Sequence, residues 1–211
     1  MFITFYDTET TSIHPTTGRI IQIAIMVMHV DAANNHTWTP MGEFERKIQF
    51  DVEKADKDAL EVNSYDKDLW DAEAIPEKAA LQEMDDFLKM YRDVKRTSKK
   101  SGKSFHCLRT AGHNISQFDD AFVRQAYKRN NMFCPFDYGA RLDTLSLARW
   151  LFAMWYPEYD LKDHKLETLC DAYGIKMENA HDALSDVRAN ARLAWSMRYC
   201  KPKPQETEND A

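Results

Sequence analysis

The chain has 211 residues, 44% of them hydrophobic, and a formal net charge of −6. That length closes one core, and the longest apolar run, IIQIAIMVM from Ile20, is too short to span a bilayer, so a membrane-spanning protein is excluded. Cys107, Cys134, Cys170 and Cys200 stand far apart with no Cys-x-x-Cys pair, which excludes a zinc ribbon, a thioredoxin-type site and a disulfide framework.

The N-terminus enters an apolar run directly, without the basic region, apolar segment and cleavage site of a leader, so a cytoplasmic protein is expected. FITFYDTETTSIHP opens the chain as a strand that ends in acid. Two further strands are predicted in RIIQIAIMVMHV from Arg19 and EFERKIQF from Glu43, linked by turn-forming residues into an antiparallel meander. An acid-rich stretch from Asp51 to Lys78 follows. AIPEKAALQEMDDFLKMYRDV then carries a helical stripe of Ala80, Leu81, Met84, Phe87, Leu88 and Tyr91. Residues 92–103, RDVKRTSKKSGK, are strongly basic and read as a loop, so charge is segregated along an acidic chain.

SFHCLRTA predicts a strand and NISQFDDAFVRQAYKRNN a helix after it. Three more helices are predicted in RLDTLSLARWLFAMW, KLETLCDAYGI and DALSDVRANARLAWSMRY. Strands first, then a strand with helices, give an α/β fold with a mixed sheet flanked by helices. One domain over 1–200 is expected, with 201–211 a disordered polar tail.

Three stretches carry candidate chemistry. Side chains two apart on a strand share a face, so Asp7 and Glu9 project together and make a plausible clamp for a divalent cation. Alone, such a pair is an ordinary solvated strand end. Asp119 lies near the start of a helix that follows a strand, where a carboxylate is electrostatically favoured, and Asn114 before it suits a turn or cap. In NAHDALSDVRANARLAW, Asp186 falls in the early turns of a helix and His181 in the loop before it. Four acids fit two Mg²⁺ or Mn²⁺ ions, and an imidazole can accept the proton of an attacking water.

With these residues in DTET, GHNISQFDDAF and AHDALSDV, the sequence resembles the DEDDh, or DnaQ-like, 3'-5' exonucleases of the ribonuclease H-like superfamily. Within that family it is similar to the nuclease domain of exonuclease I. The resemblance covers nearly the whole chain. It implies a five-stranded mixed sheet, the first three strands antiparallel, with helices on both sides. It also implies metal ligation by Asp7, Glu9, Asp119 and Asp186 and a general base in His181. Thr10 is implied at the terminal sugar and Ile13 as a wedge between the last bases, and Asn114 joins them as a substrate-binding candidate. Ser12 stands where many members have Gly.

The implied function is two-metal release of nucleoside 5'-monophosphates from 3' ends of single-stranded nucleic acid, DNA ahead of RNA, with residues 92–103 as candidate holders of upstream phosphates. The alternatives are an exoribonuclease of the ribonuclease T or oligoribonuclease type and a non-catalytic nucleic-acid binding module. Without the further domains of exonuclease I, sustained processivity is not expected. The tryptophans are left unassigned, because aromatic residues at helical spacing are usually core.

Overall fold

The computed structural model describes residues 1–31, 33, 37–63, 65–177 and 182–203. Its sheet runs β3 (Thr37–Lys47), β2 (Ile20–Asp31), β1 (Phe2–Thr10), β5 (Ser104–Gly112). β1, β2 and β3 are antiparallel neighbours, while β1 pairs parallel with β5 and β5 parallel with β6 (Phe136–Asp143). β1 and β5 therefore end at the same edge of the sheet.

A sixth strand, β4 (Val94–Thr97), pairs antiparallel with Ser104–Cys107, so the implied five-stranded sheet gains one. This strand and the turn after it are the basic segment, a hairpin rather than a loop. The pairing satisfies backbone groups, but only Val94 is buried, which leaves no apolar alternation to read. The hairpin extends the entering end of β5, whereas the acids stand at the leaving end. From Phe105 to Gly112 is roughly 23 Å at strand spacing, so these lysines cannot hold phosphates next to the acids.

β2 is apolar on both sides because both faces are covered. On one face α3 (Glu77–Leu88) and α4 (Asp119–Arg129) pack Leu81, Met84, Phe122 and Val123 against Tyr6, Ile23 and Ile25. On the other, α7 (Ala183–Tyr199) sets Val187 and Ala191 against Ile3, Phe5 and Ala24. Behind α7, Phe152 of α5 (Thr144–Trp155) and Leu169 of α6 (Leu166–Tyr173) meet Leu193. Each fully buried aliphatic or aromatic side chain contributes about 1.5–3 kcal/mol. The acid-rich stretch holds two short helices, α1 (Lys57–Val62) and α2 (Lys67–Glu73).

All four cysteines are free, and Cys107 and Cys170 are buried. Among the described residues no helix is long and apolar enough to cross a membrane. Residues 201–203, placed by expectation in the polar tail, pack against the domain: Pro202 is buried, its carbonyl accepts from Tyr159 Oη at 3.0 Å, and Lys203 N donates to Ala172 O at 2.7 Å. Residues 204–211 lie outside the described residues.

Gly112 ends β5 under tight constraint. A Cβ there would sit 2.1 Å from Ile115 Cγ2 and 2.8 Å from the carbonyl oxygen of Tyr6 on β1. Gly112→Ala is expected to cost about 1–3 kcal/mol, because the Tyr6 carbonyl belongs to a paired strand that yields little. A thermal melt measures it; an unchanged midpoint would show that the turn after β5 relaxes freely.

Candidate active site at the end of the first strand

β1 places its odd-numbered side chains on the α7 face, Ile3 and Phe5 in the core and Asp7 and Glu9 beyond them, while Tyr6 points to the α3 and α4 face. Glu9 is the last residue in regular register with β2, since a bulge separates it from Thr10. Asp186 lies in the first turn of α7, above the same face. Asp182 caps that helix by accepting from Ser185 N at 3.1 Å, which fixes where the helix starts. His181 lies outside the described residues.

Asp119 arrives from the opposite side of the sheet, in the first turn of α4. Thr8 secures it: the Thr8 N–H donates to Asp119 Oδ1 at 2.9 Å and Thr8 Oγ1 donates to the same oxygen at 2.6 Å. The next residue has a different task. Asp120 accepts from Tyr6 Oη and from Arg141 Nη1 at 2.6 Å, which anchors α4 to β1 and β6 beneath the site. Sequence reasoning missed Thr8, Tyr6 and Arg141. The alternation of β1 gave the only available signal, since it turns Tyr6 and Thr8 toward α4.

The acids perturb one another. Burial lifts the Asp7 carboxyl well above the ordinary range, and Asp119, Glu9 and Asp186 lift it further. Burial, then Asp186, Asp119 and Asp182, push Glu9 up to about 8. Asp119 is pushed up to about 7 by burial, against the lowering effect of the Thr8 hydrogen bonds. For Asp7 and Glu9 every one of these influences acts upward. All four acids thus share one poorly solvated neighbourhood.

Hard oxygen donors in mutual repulsion are a donor set that divalent Mg²⁺ or Mn²⁺ relieves, so the residues fit such ions. Their side chains do not yet close on one point. Among the described residues no group of three or more His, Cys, Asp or Glu side chains forms a ready-made metal cage. Like charges in a dry site hold apart, and Asp119 Oδ1 is already engaged by Thr8.

Beside the acids lies a cleft of about 660 Å³, lined by Thr10, Ile13, Lys57, Val62, Asn63 and Phe118 among others. α1 walls it, because Asn63 Nδ2 donates to the Thr10 carbonyl at 2.8 Å and Asp56 N donates to the Thr11 carbonyl at 2.8 Å. Ile13 is 71% exposed at its mouth, so it is not a core residue. Thr10 is buried, and its hydroxyl donates to Ser12 O at 2.9 Å. Asn114 serves as a turn residue, with φ +63°, its N–H on Asp143 Oδ1 at 3.1 Å and its carbonyl accepting from Gln117 N and Phe118 N. Of the tryptophans, Trp70 is core while Trp150, Trp155 and Trp195 are exposed.

The family model described as the 3'-5' exoribonuclease Rv2179c-like domain matches residues 3–197. Exodeoxyribonuclease I of Haemophilus influenzae is 33% identical over 104 residues, covering 44% of this chain and 22% of that protein. Ribonuclease T of Actinobacillus pleuropneumoniae is 28% identical over 197 residues, covering 90% of this chain and 80% of that one. The structure of Escherichia coli exonuclease I in complex with a dT13 oligonucleotide superposes with a TM-score of 0.70 at 21% identity, over 93% of this chain and 40% of that one. The fold is thus that of the exonuclease I nuclease region, and this chain spans well under two thirds of the exonuclease I proteins it matches: the sequence match covers 22% of the H. influenzae protein and the superposition 40% of the E. coli chain. With the family match running from β1 through α7, the chain belongs to the Rv2179c-like 3'-5' exoribonuclease domains and, through them, to the DnaQ-like exonuclease family.

Proposed function

We propose that the protein is a divalent-metal-dependent 3'-5' exonuclease that shortens single-stranded nucleic acid by releasing nucleoside 5'-monophosphates. The observation that carries this reading is the placement of four acids at the end of β1: Asp7 and Glu9 on one face of the strand, Asp119 bonded to Thr8 between them, and Asp186 in the first turn of α7. Sequence alone put DNA ahead of RNA. RNA is the better-supported strand once extent is weighed, because the exoribonuclease family model and ribonuclease T each match nearly the whole chain, whereas the sequence match to exodeoxyribonuclease I covers 44% of it.

In this reading Asp7, Glu9, Asp119 and Asp186, carried by β1, α4 and α7, are the residues that would hold two Mg²⁺ or Mn²⁺ ions. Such ions supply charge stabilisation at the phosphorus centre and a lowered pKa for water. The cleft lined by Thr10, Ile13 and Phe118 receives the terminal nucleoside, and the exposed Ile13 separates it from the next base. His181, next to the Asp182 cap, takes the proton of the water whose oxygen attacks phosphorus. The bond from phosphorus to the 3'-oxygen breaks, that oxygen gains a proton, and the phosphate leaves on the 5' carbon of the released nucleoside.

The test is a 5'-labelled twelve-nucleotide RNA, and DNA of the same sequence, incubated with Mg²⁺ or Mn²⁺. Products that shorten stepwise from the 3' end with 5'-monophosphate release are expected, faster on RNA; two intact strands with either ion would end the proposal. His181→Ala is expected to lower turnover near neutral pH by about 10²- to 10⁴-fold, with the metal affinity measured by calorimetry largely kept. A variant as fast as the parent at pH 7 would remove His181 as the base.

A further inference from the structure

α1 stands beside the acids with little apolar packing to keep it there, since none of its six residues is buried. Hydrogen bonds at its two ends attach it instead. Asp56 N donates to the Thr11 carbonyl at 2.8 Å, and the buried Asn63 side chain donates through Nδ2 to the Thr10 carbonyl at 2.8 Å. Both acceptors follow Glu9, past the bulge where β1 leaves its regular register with β2. The helix is therefore strapped to the segment that continues from the acids of β1.

The two attachments differ in kind. The bond at Asp56 is made by backbone atoms alone and survives a side-chain substitution, whereas the bond at Asn63 depends on a single amide. Val62, next to Asn63, is 58% exposed, and it lines the same cleft as the exposed Ile13, three residues after Thr10. The bond from Asn63 to Thr10 thus ties together the two pieces of backbone that carry these apolar side chains.

From this geometry we infer that Asn63 is a positioning residue: it sets the gap between Val62 and Ile13 and thereby the fit of the terminal nucleoside. The inference rests on the exonuclease reading above. A nucleobase is flat and apolar on both faces, and its dispersion contacts are forfeited within about 1 Å of added gap. Asn63 acts through Val62, because its amide nitrogen is engaged by Thr10. The four acids are carried by β1, α4 and α7, so a displaced α1 weakens nucleoside binding ahead of the chemistry at phosphorus.

The experiment uses two chromogenic esters with Mn²⁺. Uridine 5'-(p-nitrophenyl phosphate) offers a nucleoside and bis(p-nitrophenyl) phosphate does not; in both, water attacks phosphorus and p-nitrophenolate leaves. In Asn63→Ala the ratio of kcat/KM for the first ester over the second is expected to fall about tenfold, through KM for the uridine ester. Asn63→Asp keeps the shape, puts an acceptor where the donor was, and is expected to lose at least as much. Val62→Ala should lower the same ratio, and in its background Asn63→Ala should cost less than about threefold, because the side chain it positions is gone; independent effects would multiply.

Calorimetry of uridine 5'-monophosphate with Ca²⁺ needs no turnover, and Kd is expected to rise about tenfold in Asn63→Ala. Each single variant is expected to melt about 2–4 °C below the parent. Should Asn63→Ala fail to fold, the isosteric Asn63→Asp carries the same comparisons. An unchanged ester ratio with an unchanged Kd, an equal loss on both esters, or the full tenfold loss in the Val62→Ala background overturns the inference. A parent that cuts neither ester nor RNA defeats the exonuclease reading instead, and the calorimetry then decides whether Asn63 shapes a nucleoside site.

Discussion

Asp7→Asn is expected to lower turnover by about 10³-fold or more while leaving the fold intact. Loss of one hard, charged oxygen from a metal clamp removes several kcal/mol of transition-state stabilisation, and each 1.36 kcal/mol is tenfold in rate. Asparagine has nearly the same volume and does not disturb the backbone pairing of Asp7 with Ala24 on β2. The substitution also removes one charge from a group of like charges, so the metal-free variant should melt no lower than the parent. Turnover on the twelve-nucleotide RNA with Mn²⁺, beside a thermal melt in EDTA, measures both. Activity within threefold of the parent would remove Asp7 from the reaction and favour the non-catalytic binding module, for which RNA binding would be the whole activity.

How far the sequence alone reached depends on how each element earns its stability. The pair Asp7 and Glu9 was legible because strand alternation is strict, and β1 obeys it on a sheet covered on both faces. Asp119 and Asp186 needed only helix starts to be placed: α7 begins at its Asp182 cap, and α4, whose Phe118 N-cap makes no side-chain capping bond, begins at Asp119 itself. α1 and α2 were invisible for the opposite reason. α1 buries no residue and α2 only Trp70, so neither presents an apolar period. β6 was partly absorbed into the helix after it. Its sequence, FDYGARLD, buries only Phe136, and the helix boundary is set instead by Asp143, which accepts from Leu145 N and Ser146 N while also bonding the Asn114 and Ser116 N–H groups. That last arrangement joins residues far apart in sequence, a fact no local pattern contains.

The site should also write its charge into the pH dependence of stability. A carboxyl whose pKa is raised on folding contributes stability that is fully present below its unfolded value near 4, and this is lost as pH rises through the folded value. Asp7 moves in that direction, Asp119 up to about 7 and Glu9 up to about 8. In EDTA the melting temperature is therefore expected to fall between about pH 5 and pH 8, by roughly 5 °C. Asp143, whose carboxyl is held below the ordinary range by its hydrogen bonds to Ser116, Ser146 and Asn114 despite burial, has the opposite sign: its stabilisation is lost only in acid, outside this window. Mg²⁺ or Mn²⁺ binds the deprotonated carboxylates of the folded state, so added metal should raise the melting temperature more at pH 8 than at pH 5. Glu9→Gln should flatten the metal-free profile and shrink the metal response together, because one group is responsible for part of each. A melting temperature in EDTA that rises from pH 5 to pH 8, or a metal response that is larger at pH 5, would mean that the acids at the end of β1 are neither crowded together nor waiting for a cation.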